Sequence, residues 1–286
     1  MYILFDIGGS KMRVAGTHDL KTFVGEPVVH ETPQSYEEGM RLLIQTIHDV
    51  VKEEQIEQIG GGIAGPFNQK TGALVGGRNI AGWFNKPLRK DLEEKFSVPV
   101  RIENDAAVVG LGEMHFGAGR IEGIGVYLTV STGVGGARYE NGIIDTKALS
   151  FEPGHQIIDP DKTLCPDCES GELESYIGGA ATERRMGKKP YEIMDEAFWD
   201  GYAQYLAYGL NNTITYWSPD VIVLGGSMIV GDPAIPIEKT KEYLQKILSA
   251  DLKIPEIKKA KLGDLGGLYG AMILLSQHQH IGSVLK

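Results

Sequence analysis

The sequence lacks several features that would place the protein in a membrane, on nucleic acid or outside the cell. No apolar run approaches the roughly 18 residues of a membrane-spanning helix, and no basic region precedes the short apolar N-terminus, as one would in a signal peptide. Lys and Arg number 28 against 38 Asp and Glu, and the net charge of −10 argues against nucleic acid or an anionic membrane as the main partner. The sequence therefore predicts a soluble, cytoplasmic protein with no nucleic-acid and no membrane partner.

Cysteine is also scarce. Only Cys165 and Cys168 are present, and without an export signal this pair is not expected to be a structural disulfide framework. Together with His155 they are zinc-ligand types, but one C-x-x-C and a distant histidine supply only three ligands, and Glu172 would be an uncommon fourth. The residues alone leave a structural zinc open.

What the chain does have is the composition of a compact protein rich in turns. The hydrophobic fraction is 42% and glycines number 38, which is typical of globular rather than disordered chains. At 286 residues the chain is long for one core, so two lobes are expected. Short apolar strands, such as 2–5 and 59–64, alternate with helical patterns, such as 35–54 and 195–217, which favours an α/β class.

Two glycine turns lie between short strands. The first, Asp6-Ile-Gly-Gly-Ser-Lys11, adds a hydroxyl and a lysine, and the second, Ser131-Thr-Gly-Val-Gly-Gly136, adds two hydroxyls. Glycines let backbone N–H groups approach a phosphate closely, although the spacing is not that of a Walker loop. Each turn alone could be an ordinary hairpin. Two of them favour a phosphate site and indicate an internal repeat.

A carboxylate lies between these turns, where a strand of residues 98–103 gives way to a helix. Asp105 follows Asn104 at this changeover. The carboxyl end of a strand in an open α/β sheet is where ligands bind, so Asp105 is a candidate catalyst. Asp is also a common N-cap. The stretch alone leaves both interpretations open.

Other polar residues suit a polyol ligand. Asn79 lies in a loop with an aromatic ring, Glu152-Pro-Gly-His155 places an acid and a histidine three residues apart, and Glu174 lies at the start of a helix. Residues such as Asn79 more often cap or pack, so this interpretation depends on the other motifs.

Six motifs, in their order and spacing, resemble those of the ROK family (repressors, open reading frames and sugar kinases), within the actin/hexokinase/Hsp70 ATPase superfamily. The resemblance covers essentially the whole chain. The motifs are Asp6-Ile-Gly-Gly-Ser-Lys11, Glu103-Asn-Asp-Ala106, Ser131-Thr-Gly-Val-Gly-Gly136, Glu152-Pro-Gly-His155, Leu173-Glu174 and Gly225-Gly226.

The resemblance implies an α/β fold of two ribonuclease-H-like lobes, the actin-like ATPase fold, with an interlobe cleft. A small N-terminal lobe would comprise residues 1–115, and a C-terminal helix of about residues 270–286 would pack back on it. Residues 116–269 would form the larger lobe.

The resemblance also implies an ATP-dependent kinase for the 6-hydroxyl of a hexose or an N-acylhexosamine, of the glucose or N-acetylmannosamine type. Asp105 matches the catalytic base, and Asp6 would lie near Mg²⁺ brought in with ATP. Family members are commonly dimers, so a homodimer is expected. The positions that match sugar-binding residues are Asn79, Asn104, Glu152, His155 and Glu174. The positions that match ATP-binding residues are Asp6, Gly8, Gly9, Ser10, Lys11, Ser131, Thr132, Gly133, Gly135, Gly136, Gly225 and Gly226.

The chain departs from the family at its zinc motif, a histidine followed by C-x-C-G-x-x-G-C. Cys165 fits the first cysteine, Asp167 stands at the second, Cys168 is one place late and Glu172 replaces the third. Two alternatives stay open for this loop: a structural zinc held by His155, Cys165 and Cys168, or fixation by packing.

Two other functions compete with a hexose kinase. One is a kinase of β-glucosides or disaccharides that acts on the same hydroxyl. The other is a sugar-binding regulator without catalysis. ROK repressors carry an N-terminal helix-turn-helix, whereas the first strand here starts at Tyr2, and this together with the acidic composition and the retained Asp105 favours a kinase.

Overall fold

The computed structural model describes residues 1–76 and 80–284. The chain divides into two compact units. Unit 1 comprises Met1–Gly117, Thr146–Ser150 and the residues from Leu262 onward, and unit 2 comprises Ala118–Asp145 and Phe151–Lys261. Across the described part of the chain, no helix combines the length and the apolar character that a membrane crossing needs.

Unit 1 is built on a five-stranded sheet in the order β3-β2-β1-β4-β7. The first three strands are antiparallel neighbours, and β1, β4 and β7 run parallel. Its elements up to residue 117 are β1 (Tyr2–Ile7), β2 (Lys11–Thr17), β3 (Val24–Glu31), α1 (Tyr36–Val51), β4 (Gln58–Ile63), β5 (Phe67–Asn68), β6 (Ala73–Leu74), a 3₁₀ turn (Ala81–Trp83), α2 (Leu88–Phe96), β7 (Val100–Asn104) and α3 (Asp105–Phe116).

Unit 2 repeats this topology. Its sheet has the order β10-β9-β8-β11-β12, with β8 antiparallel to β9 and parallel to β11. The same strand order and directions in both sheets confirm the internal repeat. The elements are β8 (Ile124–Val130), β9 (Val134–Glu140), β10 (Ile143–Ile144), α4 (Leu173–Ile177), α5 (Gly179–Met186), α6 (Glu196–Trp217), β11 (Val221–Gly225), α7 (Ser227–Val230), α8 (Ile237–Ile247) and β12 (Glu256–Lys259); the chain then returns to unit 1 as α9 (Gly266–Val284).

The long helices form where the sequence pattern predicts them. In α1 the Ser35 hydroxyl accepts a hydrogen bond from the Glu38 N–H, and the apolar stripe that includes Leu43 and Ile47 is buried. The helix ends at Val51, earlier than the predicted 54, because Lys52 adopts a φ of 56°. In α6 the Asp195 side chain provides the equivalent N-cap.

Two strands differ from the prediction. The edge strand β3 has no counterpart in the sequence analysis because most of its residues are exposed or half-buried, so no clean period-two pattern marks it. The stretch Lys258-Lys-Ala-Lys-Leu262 predicts an edge strand. The last strand is instead Glu256–Lys259, since its register follows parallel pairing with Val221–Leu224 of β11.

Glycines allow α3 and α9 to pack backbone against backbone. A Cβ at Gly112 would lie 2.6 Å from the Gly266 carbonyl oxygen, and one at Gly270 would lie 1.7 Å from the Val108 carbonyl oxygen. Real Cβ atoms do not approach so closely, so the backbones can come this near only because these positions are glycine. Because α9 also packs on β1 and β4, this contact fixes the helix over the sheet of unit 1.

We therefore expect Gly270→Ala to destabilise the protein by about 1–3 kcal/mol, since the helices must separate to admit a methyl group. The control is Gly201→Ala at a half-buried position of α6, where an added Cβ meets no described atom within 4 Å. That change should stabilise by up to about 1 kcal/mol through helix propensity. Thermal denaturation of both variants measures the difference, and equal melting temperatures would contradict the close α3–α9 contact.

Candidate active site

Asn104, not Asp105, is the N-cap of α3. Its Oδ1 accepts a hydrogen bond from the Ala107 N–H at 3.1 Å, while Asp105 is the first residue of the helix. Asp105 Oδ1 accepts from the Ala106 N–H at 2.8 Å, and Asp105 is half-buried. The interpretation of Asp105 as only a cap is therefore wrong. Its carboxylate lies at the positive end of α3, where the helix dipole favours negative charge.

Asn104 also orients Asp105. Its Nδ2 donates to the Gly65 carbonyl oxygen at 3.0 Å and to Asp105 Oδ1 at 3.2 Å. Both amide hydrogens and one lone pair of Oδ1 are thus engaged within the protein. Asn104 is only 8% exposed. The second lone pair of Asn104 Oδ1 remains available to accept a hydrogen bond from a ligand.

Asp6 lies at the carboxyl end of β1 as a second buried acid. Its side chain packs so closely on α9 that a Cβ at Gly267 would lie 2.5 Å from Asp6 Cγ. Burial, together with the charges of Asp105 and Asp264, raises the pKa of Asp6 to about 7, and the nearby charge of Arg13 opposes this shift. Arg13 Nη1 lies 3.6 Å from Asp6 Oδ2, and its Nη2 donates to Asp264 at 2.8 Å.

Burial raises the pKa of Asp105 as well, against hydrogen bonds from backbone N–H groups that lower it. The charge of Asp105 raises the pKa of Asp6, so a cation at this pair of carboxylates would be favourable. Mg²⁺ in phosphotransfer sites takes one or two carboxylates plus phosphate oxygens. The Asp6 and Asp105 oxygens fit that donor chemistry.

Hydrogen bonds from Thr32 to carbonyl oxygens hold the first glycine turn in place. Thr32 Oγ1 donates to the Gly8 carbonyl oxygen at 2.8 Å, and the Thr32 N–H donates to the Ser10 carbonyl oxygen at 3.0 Å. Gly9 is half-buried, and Ser10 and Lys11 are exposed. The peptide groups of the turn are therefore anchored at their oxygens in unit 1.

The second glycine turn is anchored in the same way in unit 2. The Gly179 N–H donates to the Ser131 carbonyl oxygen at 2.7 Å, and the Ala180 N–H donates to that of Thr132 at 2.9 Å. Both donors belong to the start of α5. Gly133, followed by Gly135 and Gly136 in β9, is the point where the turn passes into the strand.

Gly225 and Gly226 end β11 beside this turn. Gly226 has a φ of +85°, and a Cβ there would lie 2.2 Å from the Val130 carbonyl oxygen. The next residue, Ser227, has its hydroxyl 3.3 Å from that of Ser131. Unit 2 thus brings together the second glycine turn and the Gly225-Gly226 turn, which the sequence places about 90 residues apart.

The predicted sugar-binding residues of unit 2 lie on two paired segments. His155 ends a 3₁₀ turn that follows Glu152, and its Nδ1 lies 3.2 Å from Glu172 Oε2. Burial lowers the pKa of His155, but the hydrogen bond to Glu172 and the nearby acids outweigh it, so the pKa is raised. Glu174, the second residue of α4, accepts from the Val134 N–H at 2.8 Å. Asn79 lies outside the described residues.

The zinc alternative is wrong in this structure. Cys165 and Cys168 are joined by a disulfide, and zinc needs thiolates. His155 Nδ1 faces Glu172 instead. Among the described residues, no group of three or more His, Cys, Asp or Glu side chains could hold a metal. The expectation of no disulfide is corrected too, since one short bridge closes this loop.

The sequence analysis missed several residues that hold these groups in place. Arg13 lies directly opposite Asp6 in the β1–β2 hairpin. The short turn between the two strands could have indicated this register. Asp264 follows 251 residues after Arg13 and had no local signal. Thr32 acts through contacts that only the folded chain creates. Glu172 was considered only as a zinc ligand, and its contact with His155 was not predicted.

Comparison with known proteins gives one family. The model of the ROK family matches residues 2–278. An N-acetyl-D-glucosamine kinase of Mannheimia succiniciproducens is 31% identical over 301 residues, covering 94% of this chain and 97% of that protein. A glucokinase of Thermotoga maritima is 25% identical over 84% of this chain and 86% of its own length. The crystal structure of a ROK hexokinase from Thermus thermophilus is similar with a TM-score of 0.79 and 29% identity, covering 97% of this chain and 99% of that one.

The raised pKa of Asp6 makes stability depend on pH. With a folded pKa of about 7 against an ordinary 3.8, the native state holds the proton more tightly, so stability falls as pH rises from about 4 to 7. Asp6→Asn removes this pH-dependent loss of stability, because an amide does not ionise. Without divalent cations, we expect the variant to gain stability over the wild type between pH 5 and 8, by at most on the order of 4 kcal/mol.

Melting temperatures at both pH values measure this gain, with Asp161→Asn at an exposed position as the control. A difference between Asp6→Asn and wild type that does not change with pH would contradict a buried, protonated Asp6.

Proposed function

Because the chain belongs to the ROK family, we propose that it is an ATP-dependent sugar kinase that phosphorylates the 6-hydroxyl of a hexose or an N-acylhexosamine. The observation that carries this proposal is the half-buried Asp105 carboxylate, held at the start of α3 by Asn104 and the Ala106 N–H beside the buried Asp6. Relatives named as N-acetyl-D-glucosamine kinase and glucokinase support the same class of reaction.

Asp105 is the proposed general base. Phosphoryl transfer needs an aligned acceptor hydroxyl and a group that takes its proton. A carboxylate whose pKa is raised by burial is a stronger base than one in water. Asn104 fixes one oxygen of Asp105, so the other is the one offered to the sugar hydroxyl.

The glycine turns are the proposed ATP site. Backbone N–H groups of Gly9, Gly133 and Gly136 would bind phosphate oxygens, since the turn carbonyls point to Thr32 and to the start of α5. Gly8, whose N–H donates to the Lys11 carbonyl oxygen at 2.9 Å, and Gly135, which pairs with Thr129 in the β8–β9 ladder, would shape the two turns. The side chains of Ser10, Lys11, Ser131 and Thr132 would add direct contacts, and Gly225 and Gly226 would lie against the adenosine. Mg²⁺, held by Asp6 and by phosphate oxygens, would neutralise phosphate charge.

Glu152, His155 and Glu174 are the proposed sugar ligands of unit 2, with Asn79 and Asn104 in unit 1. A charged acid and an imidazole can each bond to a hydroxyl, and adjacent hydroxyls of a pyranose need such alternating donors and acceptors. Relatives that act on glucose and on N-acetylglucosamine, by their names, make these two sugars the first to test.

One observation favours the second candidate, a kinase of β-glucosides or disaccharides. A hollow of about 350 Å³ lies next to Glu152 and His155 and is walled by Tyr216 and Trp217. Tyr216 is 80% exposed. Aromatic rings with one polar edge suit the apolar face of a second sugar ring.

We expect Asp105→Asn to lower kcat by about 10²–10⁴-fold, because the amide cannot take the hydroxyl proton. The affinity for sugar should change little, since the side chain keeps its size and its hydrogen bonds. ADP release and calorimetric sugar binding measure the two quantities. Asp251→Asn, at an exposed position, is the control. Near-full turnover in Asp105→Asn would reject Asp105 as the base.

Sugar-dependent ADP release separates the candidate functions. The panel is glucose, N-acetylglucosamine, N-acetylmannosamine and cellobiose, each at the same concentration with ATP and Mg²⁺. We expect turnover with a monosaccharide. A preference for cellobiose would support the second candidate. Sugar binding without turnover would contradict a kinase and leave the sugar-binding regulator.

A further inference from the structure

His155 has a fixed partner of its own in unit 2. Its Nδ1 lies 3.2 Å from Oε2 of Glu172, 17 residues along the chain. A carboxylate can only accept, so Nδ1 carries the hydrogen of this bond. The bond therefore determines which ring nitrogen of a neutral His155 is free.

Glu172 is itself held firmly. The Ser170 hydroxyl donates to Glu172 Oε2 at 3.2 Å. Glu172 also lies at the N-cap position of α4 and forms an antiparallel bridge with Ile157. The following Leu173 N–H donates to the Gln156 carbonyl oxygen at 3.0 Å. The His155 turn and the start of α4 are thus paired through backbone and side chains together.

The same short helix carries Glu174 to the second glycine turn. Glu174 Oε2 accepts from the Val134 N–H, and a Cβ at Gly133 would lie 2.4 Å from that oxygen. Glu172 and Glu174, two residues apart, therefore connect His155 on one side of α4 with the glycine turn on the other. A displacement of α4 would disturb both.

The loop before α4 is closed without a metal. The disulfide joins Cys165 to Cys168, and Arg185 Nη1 lies 3.3 Å from Cys168 Sγ. Arg185 also donates to the carbonyl oxygens of Ser175 and Tyr176 in α4. These contacts tie the loop to the helix through covalent and hydrogen bonds.

We propose that Glu172 is a positioning residue of the sugar site: its carboxylate takes the Nδ1 hydrogen of His155 and turns Nε2 toward a sugar hydroxyl, so that no metal is needed to orient the ring. In metal sites, a carboxylate bonded to one ring nitrogen of a histidine sets the tautomer and the orientation of the ring. Glu172 does the same for His155 without a metal. This inference rests on the proposed function, in which His155 binds sugar.

The first test compares Glu172→Ala with Glu169→Gln. Glu169 lies in the same loop, is exposed and pairs with Arg184. We expect Glu172→Ala to raise the sugar KM by about 10-fold, with a smaller change in kcat and no change in the KM for ATP. Glu172→Gln, which keeps an acceptor oxygen, should recover most of the loss. The Glu169→Gln values should equal those of the wild type, and equal sugar KM values in Glu172→Ala would overturn the proposal.

The second test does not depend on turnover. In protein labelled with ¹⁵N-histidine, the ring signals of His155, identified by their loss in His155→Gln, report the tautomer. We expect the Nδ1–H form in the wild type and in Glu169→Gln, and a shift toward the Nε2–H form, which free imidazoles prefer, in Glu172→Ala. The same tautomer in all three proteins would overturn the Glu172 contact.

The third test measures bound zinc and its effect on the sugar KM. We expect no bound zinc after purification, and an unchanged sugar KM after chelator treatment once Mg²⁺ is restored. Stoichiometric zinc whose removal raises the sugar KM would overturn the metal-free orientation. If no sugar supports ATP turnover in the wild type, the proposed function fails, while the ¹⁵N spectrum still decides the contact between His155 and Glu172.

Discussion

The burial of carboxylates at the carboxyl ends of parallel strands is the main electrostatic constraint on the candidate site of unit 1. Asp6 ends β1 and Asp105 follows β7, and burial together with the charge of Asp105 raises the pKa of Asp6 to about 7. Neighbouring groups reduce the free-energy cost of burying these carboxylates, since Arg13 lies beside Asp6 and backbone N–H groups donate to Asp105. Gly62 and Gly267 let the backbone approach the two acids. Sites that bind a cation or a proton at the moment of reaction commonly reduce stability in this way.

Unit 2 has the same sheet but uses it differently. Its first two parallel strands, β8 and β11, end in glycine turns instead of buried acids, and Gly226 fits only because it has no side chain. The polar groups of the unit come from the His155 turn and from α4, which lie outside the sheet. The duplication therefore reproduced a scaffold while the functional side chains diverged, as expected where function resides in the site and not in the fold.

Local signals predicted much of the fold. The helical patterns over 35–54 and 195–217 placed α1 and α6 to within a few residues, because such patterns depend on contacts within one or two helical turns. The glycine turns were also found, since glycine is needed wherever another backbone comes within contact distance. The edge strand β3 was missed because its exposed side chains carry no periodic pattern. The residue types of the candidate site were recognisable, but their partners were not.

The sequence by itself determined the order of strands and helices, the glycine turns and the position of a carboxylate at the start of α3, since each depends on neighbours within a few residues. Only the tertiary structure decided that Asn104, and not Asp105, caps the helix, and that Asn104 also donates a hydrogen bond to the Asp105 carboxylate. It also decided that Arg13 pairs with Asp264, and that Glu172 and a disulfide, not a zinc site, hold the His155 loop. These contacts join residues distant in sequence or choose among several possible partners, and burial and distance in the folded chain make that choice.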